Sequence, residues 1–321
     1  MVTGALFALA AGLLWGLVFV VPTMLPQYPA ALLSFGRYLA FGLVALPLAW
    51  WSRQALAGLA RADWIEALKL SAVGNLLYYL FLAAAIQRAG GPLPTMLIGT
   101  LPVVIAISSN LRDHARDGRL PWRRLAPSLV LIAAGIALVN QVELERLRGE
   151  PQADVGAYAL GALLAMGAVA CWTWYPLRNA DWLRAGSSGG ARKPGTWATA
   201  QGLVTLPLAG AGFLGFWLWN AATGQAFTMP LGPAPERFMV LMLATGLLAS
   251  WLGTVCWNEA SQRLPTTLVG QLIVFETLAA LAYAYGLRGQ WPGVATAAGI
   301  GLLVAGVIWA LRMRPRHDPP A

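Results

Sequence analysis

Charged residues are scarce in this chain of 321 amino acids. Only 11% are Asp, Glu, Lys or Arg, whereas a soluble globular domain carries about 25%. Since 58% of the residues are hydrophobic, the composition excludes an ordinary soluble domain and indicates a polytopic membrane protein. The formal net charge of +9 does not predict nucleic-acid binding, because the basic residues fall in short loops between apolar segments.

Residues that carry catalytic or metal chemistry are also few. The two cysteines, Cys171 and Cys256, lie inside apolar segments and show neither a disulfide framework nor a metal-binding spacing. The two histidines, His114 and His317, lie in a predicted loop and in the C-terminal tail. The chain has no P-loop, so we expect no ATP hydrolysis of its own. These absences predict no catalytic residues, no metal, no cofactor and no enzymatic activity.

Long apolar runs, in contrast, occupy most of the chain. A membrane-spanning helix needs about 20 mostly apolar residues, and its backbone polar groups must be satisfied within the helix. Ten segments meet this requirement: 3–21, 30–51, 66–87, 92–110, 125–142, 155–177, 197–219, 237–257, 266–287 and 293–311. The sequence therefore predicts an all-α integral membrane fold with ten transmembrane helices.

The charges of the loops predict the orientation of these helices. When the loops are assigned alternately to the two sides, one side receives most of the basic residues, including those at 112–124 and in the C-terminal tail. Cytoplasmic loops of membrane proteins carry such an excess of Lys and Arg. We therefore expect both termini to lie in the cytoplasm.

An internal repeat divides the predicted helices into two sets of five. Residues 87–106 and 262–285 both open with Gln-Arg and continue through Leu-Pro-Thr into an apolar helix. A unit of five spans inverts when it is repeated, because five is odd. This predicts repeat 1 at residues 1–150 and repeat 2, with a short basic tail, at residues 151–321. Inverted repeats are frequent in transporters, which bind substrate near the midplane between the halves.

Only two charged residues, Arg37 and Glu276, lie well inside the predicted spans. Intramembrane charges are costly and normally face the protein interior or a water-filled cavity. In a functional interpretation, Arg37 holds a substrate carboxylate, and Glu276 meets an ammonium group or a proton. In the alternative interpretation, the two side chains pair with each other or with nearby carbonyl groups and only lock the helices together. The sequence is compatible with both.

Polar and aromatic residues inside other spans complete the candidate substrate-binding set. Asn75 and Tyr79 are four residues apart and share a helix face, with Tyr78 beside them. Further candidates are Trp15, Trp172, Tyr175, Trp251 and Gln271. Aromatic rings stack on aromatic ligands and attract ammonium groups. For the polar side chains, the alternative is hydrogen bonding between helices.

The register of the repeat also predicts where a ligand has room. It places small residues of the eighth span, Ser250, Gly253 and Thr254, opposite the polar and aromatic residues of the third span. The second half of the predicted bundle is therefore smaller at this level, which favours a cavity there.

Several of these motifs occur together in a known family. They are Trp15-Gly16 followed by Phe19, the segment CWTWYPLRN at 171–179, and the paired Gln-Arg and Leu-Pro-Thr segments. The chain resembles the drug/metabolite transporter superfamily with two EamA-type repeats, and its sixth and ninth spans are similar to the YddG-type aromatic amino-acid exporters of bacteria. This resemblance implies export of aromatic amino acids and related small molecules across the bacterial inner membrane.

The leading prediction is therefore a secondary transporter that alternates access by rocking two inverted halves, with a small-molecule substrate and the lipid bilayer as its partners. Within transporters, the alternatives are a multidrug or cationic metabolite exporter and a nucleotide-sugar carrier. The last would demand more intramembrane basic residues than Arg37 alone. An intramembrane enzyme would require a reactive cluster, and none is visible in the sequence. Both proton coupling through Glu276 and passive facilitated transport fit the pattern.

Overall fold

A computed structural model of the chain describes residues 2–89, 92–111, 121–148, 155–185, 192–289 and 291–312. Every regular element within these ranges is a helix, as the apolar runs predict. The helices in chain order are α1 (Val2–Met24), α2 (Ala30–Trp51), α3 (Arg53–Ala57), α4 (Arg61–Ala89), α5 (Pro92–Gly99), α6 (Leu101–Leu111), α7 (Trp122–Arg148), α8 (Val155–Ala185), α9 (Pro194–Ala222), α10 (Pro235–Arg263), α11 (Thr266–Leu272), α12 (Val274–Arg288) and α13 (Val294–Leu311).

Seven helical stretches within the described residues are long and apolar enough to cross a membrane. They are α1, α2, α4, α8, α9, α10 and the stretch Leu268–Leu287, which joins α11 to α12. The remaining predicted spans, 92–110, 125–142 and 293–311, coincide with helices α5 to α7 and α13. Because these helices are not among the seven, the number of ten spans stays a prediction.

Two of the predicted spans are interrupted rather than continuous. The segment 92–110 breaks at Thr100, between α5 and α6, and the segment 266–287 breaks at Ile273, between α11 and α12. Pro102 explains the first break, because it has no N–H to continue the helical hydrogen bonds. The second break places Glu276 in the first turn of α12, where the helix dipole favours a negative charge.

Helices α4 and α10 each contain a π-helical segment near the middle, Ser71–Leu77 and Thr245–Leu252 respectively. Such segments change the backbone hydrogen-bond pattern and occur frequently at functional sites. Each offers a backbone carbonyl to a side chain of another helix. The hydroxyl of Ser34 donates to the Leu76 carbonyl at 3.1 Å, and the indole of Trp15 donates to the Ala249 carbonyl at 2.9 Å.

Glycines of α1 bring that helix close to α12. A Cβ atom on Gly12 would lie 2.5 Å from the Cβ of Phe275, and one on Gly16 would lie 2.7 Å from the Cβ of Ala279. Small residues four apart commonly allow such close contact between helices in membranes. The contact holds α1, with Trp15, directly against the helix that carries Glu276.

One end of the bundle is closed by ion pairs, and we call it the Asp63 end. The carboxylate of Glu66 accepts two hydrogen bonds from the Arg178 guanidinium, at 2.5 and 3.1 Å. The carboxylate of Asp63 accepts from Arg192 at 2.7 Å and from the indole of Trp182 at 2.9 Å. Both carboxylates are buried. These contacts join the start of α4 to the end of α8 and to the residues just before α9.

The other end is closed by neutral contacts around Tyr28, and we call it the Tyr28 end. The Tyr28 hydroxyl donates to the Leu231 carbonyl at 2.7 Å and accepts from the Ala234 N–H at 2.8 Å. Its ring stacks on Phe238 with centroids 4.9 Å apart. Because Gln87, near the end of α4, donates to the Tyr28 carbonyl at 2.6 Å, helix α4 runs from one closed end to the other.

Candidate functional site

A small buried cavity lies midway along α4, between the two closed ends. It is formed by α1, α2, α4, α8, α10 and α12, and both π-helical segments contribute to its wall. Its lining residues are Trp15, Val18, Arg37, Tyr38, Asn75, Tyr78, Trp172, Ala249, Ser250, Thr254 and Glu276. The open space is sufficient for about one water molecule. We call this conformation occluded, because contacts between the described helices join both ends of the bundle and leave no room for an amino acid.

Six residues of the predicted substrate-binding set line this cavity: Trp15, Arg37, Asn75, Tyr78, Trp172 and Glu276. They come from five different helices, so the structure brings together residues that are far apart in the sequence. All six are buried. Two more members of the set, Tyr79 and Tyr175, support the wall from behind.

Tyr79 and Tyr175 contact lining residues without lining the cavity. The hydroxyl of Tyr79 donates to the Val18 carbonyl at 3.2 Å, and its ring lies under the guanidinium of Arg37. The ring of Tyr175 stacks on Trp172, and its hydroxyl donates to Gln201 at 3.0 Å. Both tyrosines therefore fix the orientation of groups that face the cavity.

Trp251 and Gln271 lie elsewhere. The indole of Trp251 is partly buried and donates to the Thr199 hydroxyl of α9 at 3.1 Å. The side chain of Gln271 is fully buried, and neither of its amide atoms has a hydrogen-bond partner among the described residues. Neither residue is part of the cavity wall, so a contact with substrate in this occluded state is not expected for either.

The guanidinium of Arg37 is hydrogen-bonded through one nitrogen, whereas another nitrogen has no hydrogen-bond partner among the described residues. Its Nε donates to the Ser250 hydroxyl at 3.0 Å. The carbon Cζ lies 4.9 Å from the ring centroid of Tyr38 and 4.6 Å from that of Tyr79, at distances where cation–π attraction acts. The nitrogen Nη1 is buried and has no hydrogen-bond partner within the part of the chain that is described. The guanidinium thus retains an unused donor.

Arg37 and Glu276 do not form an ion pair with each other. Ion pairs among the described residues lie elsewhere and include Glu66 with Arg178 and Lys69, Asp63 with Arg192, and Glu259 with Arg263. Both residues nevertheless line the same cavity. This conformation therefore does not contain the direct pairing of Arg37 with Glu276 that one of the two interpretations predicts.

Three buried hydrogen-bond donors of the cavity wall have no partner among the described residues. They are Nη1 of Arg37, Nδ2 of Asn75 and the hydroxyl of Tyr78. Folded proteins leave few buried polar groups unpaired, and those that remain often serve a function. The donors can bind acceptor atoms such as carboxylate oxygens, whereas the Glu276 carboxylate can accept from an ammonium group.

Aromatic rings form the rest of the wall. Trp172 lies between Tyr78, at 4.7 Å between ring centroids, and Tyr175, at 4.9 Å, with both rings nearly parallel to it. Trp15 meets Trp172 edge-on at 5.1 Å and an interplanar angle of 75°. Because such rings offer apolar and π surfaces, the cavity combines a basic and an acidic side chain with an aromatic wall.

The structure also refines the expectation about small residues of α10. Ser250 and Thr254 line the cavity, as the register of the repeat predicted. The space left by Gly253 is filled instead by Trp15, whose Nε1 would lie 2.7 Å from a Cβ at this glycine. Tyr38 is a lining residue that sequence reasoning missed, although its position next to the buried Arg37 was a usable signal.

Comparisons with known proteins agree with these observations. Residues 2–141 match the model of the EamA-like transporter family. The chain is 52% identical over 315 residues to the inner membrane protein YtfF of Escherichia coli (strain K12). The aligned region covers 98% of this chain and 97% of that protein. One solved crystal structure matches with a TM-score of 0.67, 18% identity and 96% coverage of both chains, a likeness of fold alone.

These matches confirm the predicted resemblance to EamA-type transporters and the predicted location. The extent of the identity with an inner membrane protein, together with the apolar helices, makes the chain a multi-pass protein of the inner membrane. It is a membrane transporter and belongs to the EamA-like transporter family.

Proposed function

We propose that this transporter exports aromatic and apolar amino acids and related small amphipathic solutes by alternating access. One observation carries the proposal: a basic side chain, Arg37, and an acidic side chain, Glu276, line the same buried cavity without forming an ion pair with each other. A zwitterion is the ligand class that such a pair of groups would bind.

The cavity wall supplies a partner for each part of an amino acid. The carboxylate would accept from the free Nη1 of Arg37 and from Asn75, because charge-assisted hydrogen bonds to a carboxylate are the strongest that these donors can form. The ammonium group would bind Glu276. An aromatic side chain would pack against Trp15 and Trp172, which also attract cations.

The occluded cavity requires the helices to move during transport. Space for about one water molecule cannot hold an amino acid, and both ends of the bundle are closed. In the proposed cycle, the ion pairs of the Asp63 end separate to admit substrate, and the contacts around Tyr28 separate to release it. This assignment takes the Asp63 end as cytoplasmic, which follows from the predicted orientation with both termini in the cytoplasm.

The cycle uses ten helices in two inverted halves, residues 1–150 and 151–321. Equivalent contacts support this division. Gln87 donates to the carbonyl of Tyr28, two residues before α2 begins, and Gln262 donates to the carbonyl of Arg192, two residues before α9 begins. These glutamines belong to the two Gln-Arg pairs of the repeated sequence. The π-helical segments, which precede them by similar distances in the two halves, support the same division.

A second candidate function is export of cationic drugs or metabolites. Glu276 and the aromatic wall favour it, since an acid among aromatic rings binds organic cations. Arg37 opposes it, because a cation in the same cavity would meet an unneutralised guanidinium. A nucleotide sugar fits less well, as Arg37 is the one basic residue among the described residues of the cavity wall.

Reconstitution into liposomes tests the proposal. Purified protein should transport labelled phenylalanine or tryptophan at rates above those of empty liposomes, and an organic cation without a carboxylate should be a poorer substrate. The assay should be run with and without a pH gradient, since acceleration by the gradient would indicate proton coupling. Absence of amino-acid transport in both conditions, together with transport of the cation, would establish the second candidate instead.

A further inference from the structure

Ser250 is the one hydrogen-bond partner of the Arg37 guanidinium among the described residues. It lies in the π-helical segment of α10, is buried, and accepts a hydrogen bond from Nε of Arg37 at 3.0 Å through its hydroxyl. The serine itself lines the cavity. The hydrogen bond therefore connects α2 to α10 at the level of the proposed substrate.

Three groups together fix the plane and direction of this guanidinium. Tyr38 and Tyr79 contact it through their rings, which hold a cation near them but set no direction within the plane. The Ser250 hydroxyl binds Nε specifically, which leaves Nη1 as a free buried donor. Without that hydroxyl, the two ring contacts alone would leave the guanidinium free to rotate within its plane.

We propose that Ser250 is a positioning residue that directs the free Nη1 of Arg37 into the cavity, where it binds the carboxylate of the substrate. The proposal rests on the proposed function for the identity of that substrate. It adds that recognition of the carboxylate depends on the Ser250 hydroxyl, whereas recognition of an ammonium group, which belongs to Glu276, does not.

Three related ligands separate these contributions. Phenylalanine carries both charges, 3-phenylpropionate lacks the ammonium group, and 2-phenylethylamine lacks the carboxylate. Their dissociation constants should be measured by calorimetry on the full-length protein in lipid nanodiscs. In Ser250→Ala, we expect about tenfold weaker binding of the two carboxylates, the usual size of a lost hydrogen bond to a charged group. Binding of the amine should be unchanged.

Two comparisons control for packing. Ser250→Thr keeps the hydroxyl, and Ser250→Val has the same shape as threonine without it, so carboxylate binding should survive in the first and weaken in the second. Ser34→Ala is a matched control on the same helix as Arg37. Its hydroxyl is equally buried but donates to the Leu76 carbonyl, so its removal should leave the affinities for all three ligands as they are in the wild type.

Each possible result of these binding measurements supports or overturns the positioning role of Ser250. Equal carboxylate affinities in the threonine and valine variants, or an equal loss for the amine, would overturn the positioning role while leaving the amino-acid transporter intact. If wild-type protein binds phenylpropionate but not phenylalanine, the proposed amino-acid function fails and the role of Ser250 is still decided by the variants. If the wild type binds neither carboxylate, both proposals are wrong.

Discussion

The side chain of Gln87 binds the backbone on both sides of the turn before α2: its amide nitrogen donates to the Tyr28 carbonyl at 2.6 Å, and its amide oxygen accepts from the Ala30 N–H at 3.1 Å. In the second half, Gln262 makes only the first of these contacts within the described part of the chain, to the Arg192 carbonyl at 3.2 Å. The residue equivalent to Ala30 is Pro194, which has no N–H to donate.

This difference predicts unequal effects of removing the two amides. Gln87→Met should lower the free energy of unfolding by about 1–2 kcal/mol, since it removes two partly buried hydrogen bonds. Gln262→Met removes one exposed hydrogen bond and should cost less than about 1 kcal/mol. Thermal unfolding in detergent measures both. A larger loss for Gln262 would contradict the interpretation.

The charges of the cavity predict the behaviour of two conservative variants. Arg37→Lys loses the planar guanidinium that Ser250 and the two tyrosines hold, and Glu276→Gln loses the carboxyl group. We expect each to reduce amino-acid transport in liposomes by at least about tenfold, the effect of one lost charge-assisted hydrogen bond. Chromatography and circular dichroism should show folded protein. If both variants transport as the wild type does, neither residue has a role in the site.

The ion pair between Glu66 and Arg178 predicts a stability effect at the Asp63 end. Glu66→Gln should destabilise the occluded state by about 1–3 kcal/mol, because the carboxylate is buried and receives two hydrogen bonds from one guanidinium. Lys69→Ala is the control. Its ammonium lies 3.9 Å from the same carboxylate but is mostly exposed, so its loss should change stability by less than about 0.5 kcal/mol. Similar effects of both variants would be inconsistent with a special role for Arg178.

The contact between Gly253 and Trp15 predicts the result of adding a single methyl group. In Gly253→Ala the new Cβ would lie 2.7 Å from Nε1 of Trp15, so the indole should move and lose its hydrogen bond to Ala249. We expect lower thermal stability and altered ligand affinity. Gly286→Ala, in α12, provides the comparison, because nothing lies within 4 Å of its added Cβ. An alanine there should be neutral or stabilising by up to about 1 kcal/mol.

The sequence predicted the helices well because long apolar runs have one stable conformation in a bilayer. It also identified Arg37 and Glu276, since a charge inside such a run is conspicuous. It did not predict the π-helical segments or the break at Ile273, for which the local sequence carries no clear signal. These irregularities nevertheless place Ser250 and Glu276 at the cavity.

The tryptophans show a second limit of prediction from the sequence. Trp15 and Trp251 were equivalent candidates, yet one lines the cavity and the other faces Thr199. In a soluble helix, alternation of polar and apolar residues would reveal the buried face. In a membrane helix, lipid and protein interior are both apolar, so the pattern does not distinguish them. Only the packing of neighbouring helices determines whether an aromatic residue faces the protein interior or the lipid.

The parallel rings of Tyr78, Trp172 and Tyr175 give this protein an intrinsic optical reporter. Their centroids lie 4.7 and 4.9 Å apart, so their electronic transitions should couple and produce a strong circular dichroism signal in the near ultraviolet, where fixed aromatic packing is observed. Since Tyr78 belongs to α4 and the other two rings belong to α8, a movement that opens the cavity should separate Tyr78 from Trp172. Opening and closing would then be followed in unlabelled protein, without a transported substrate.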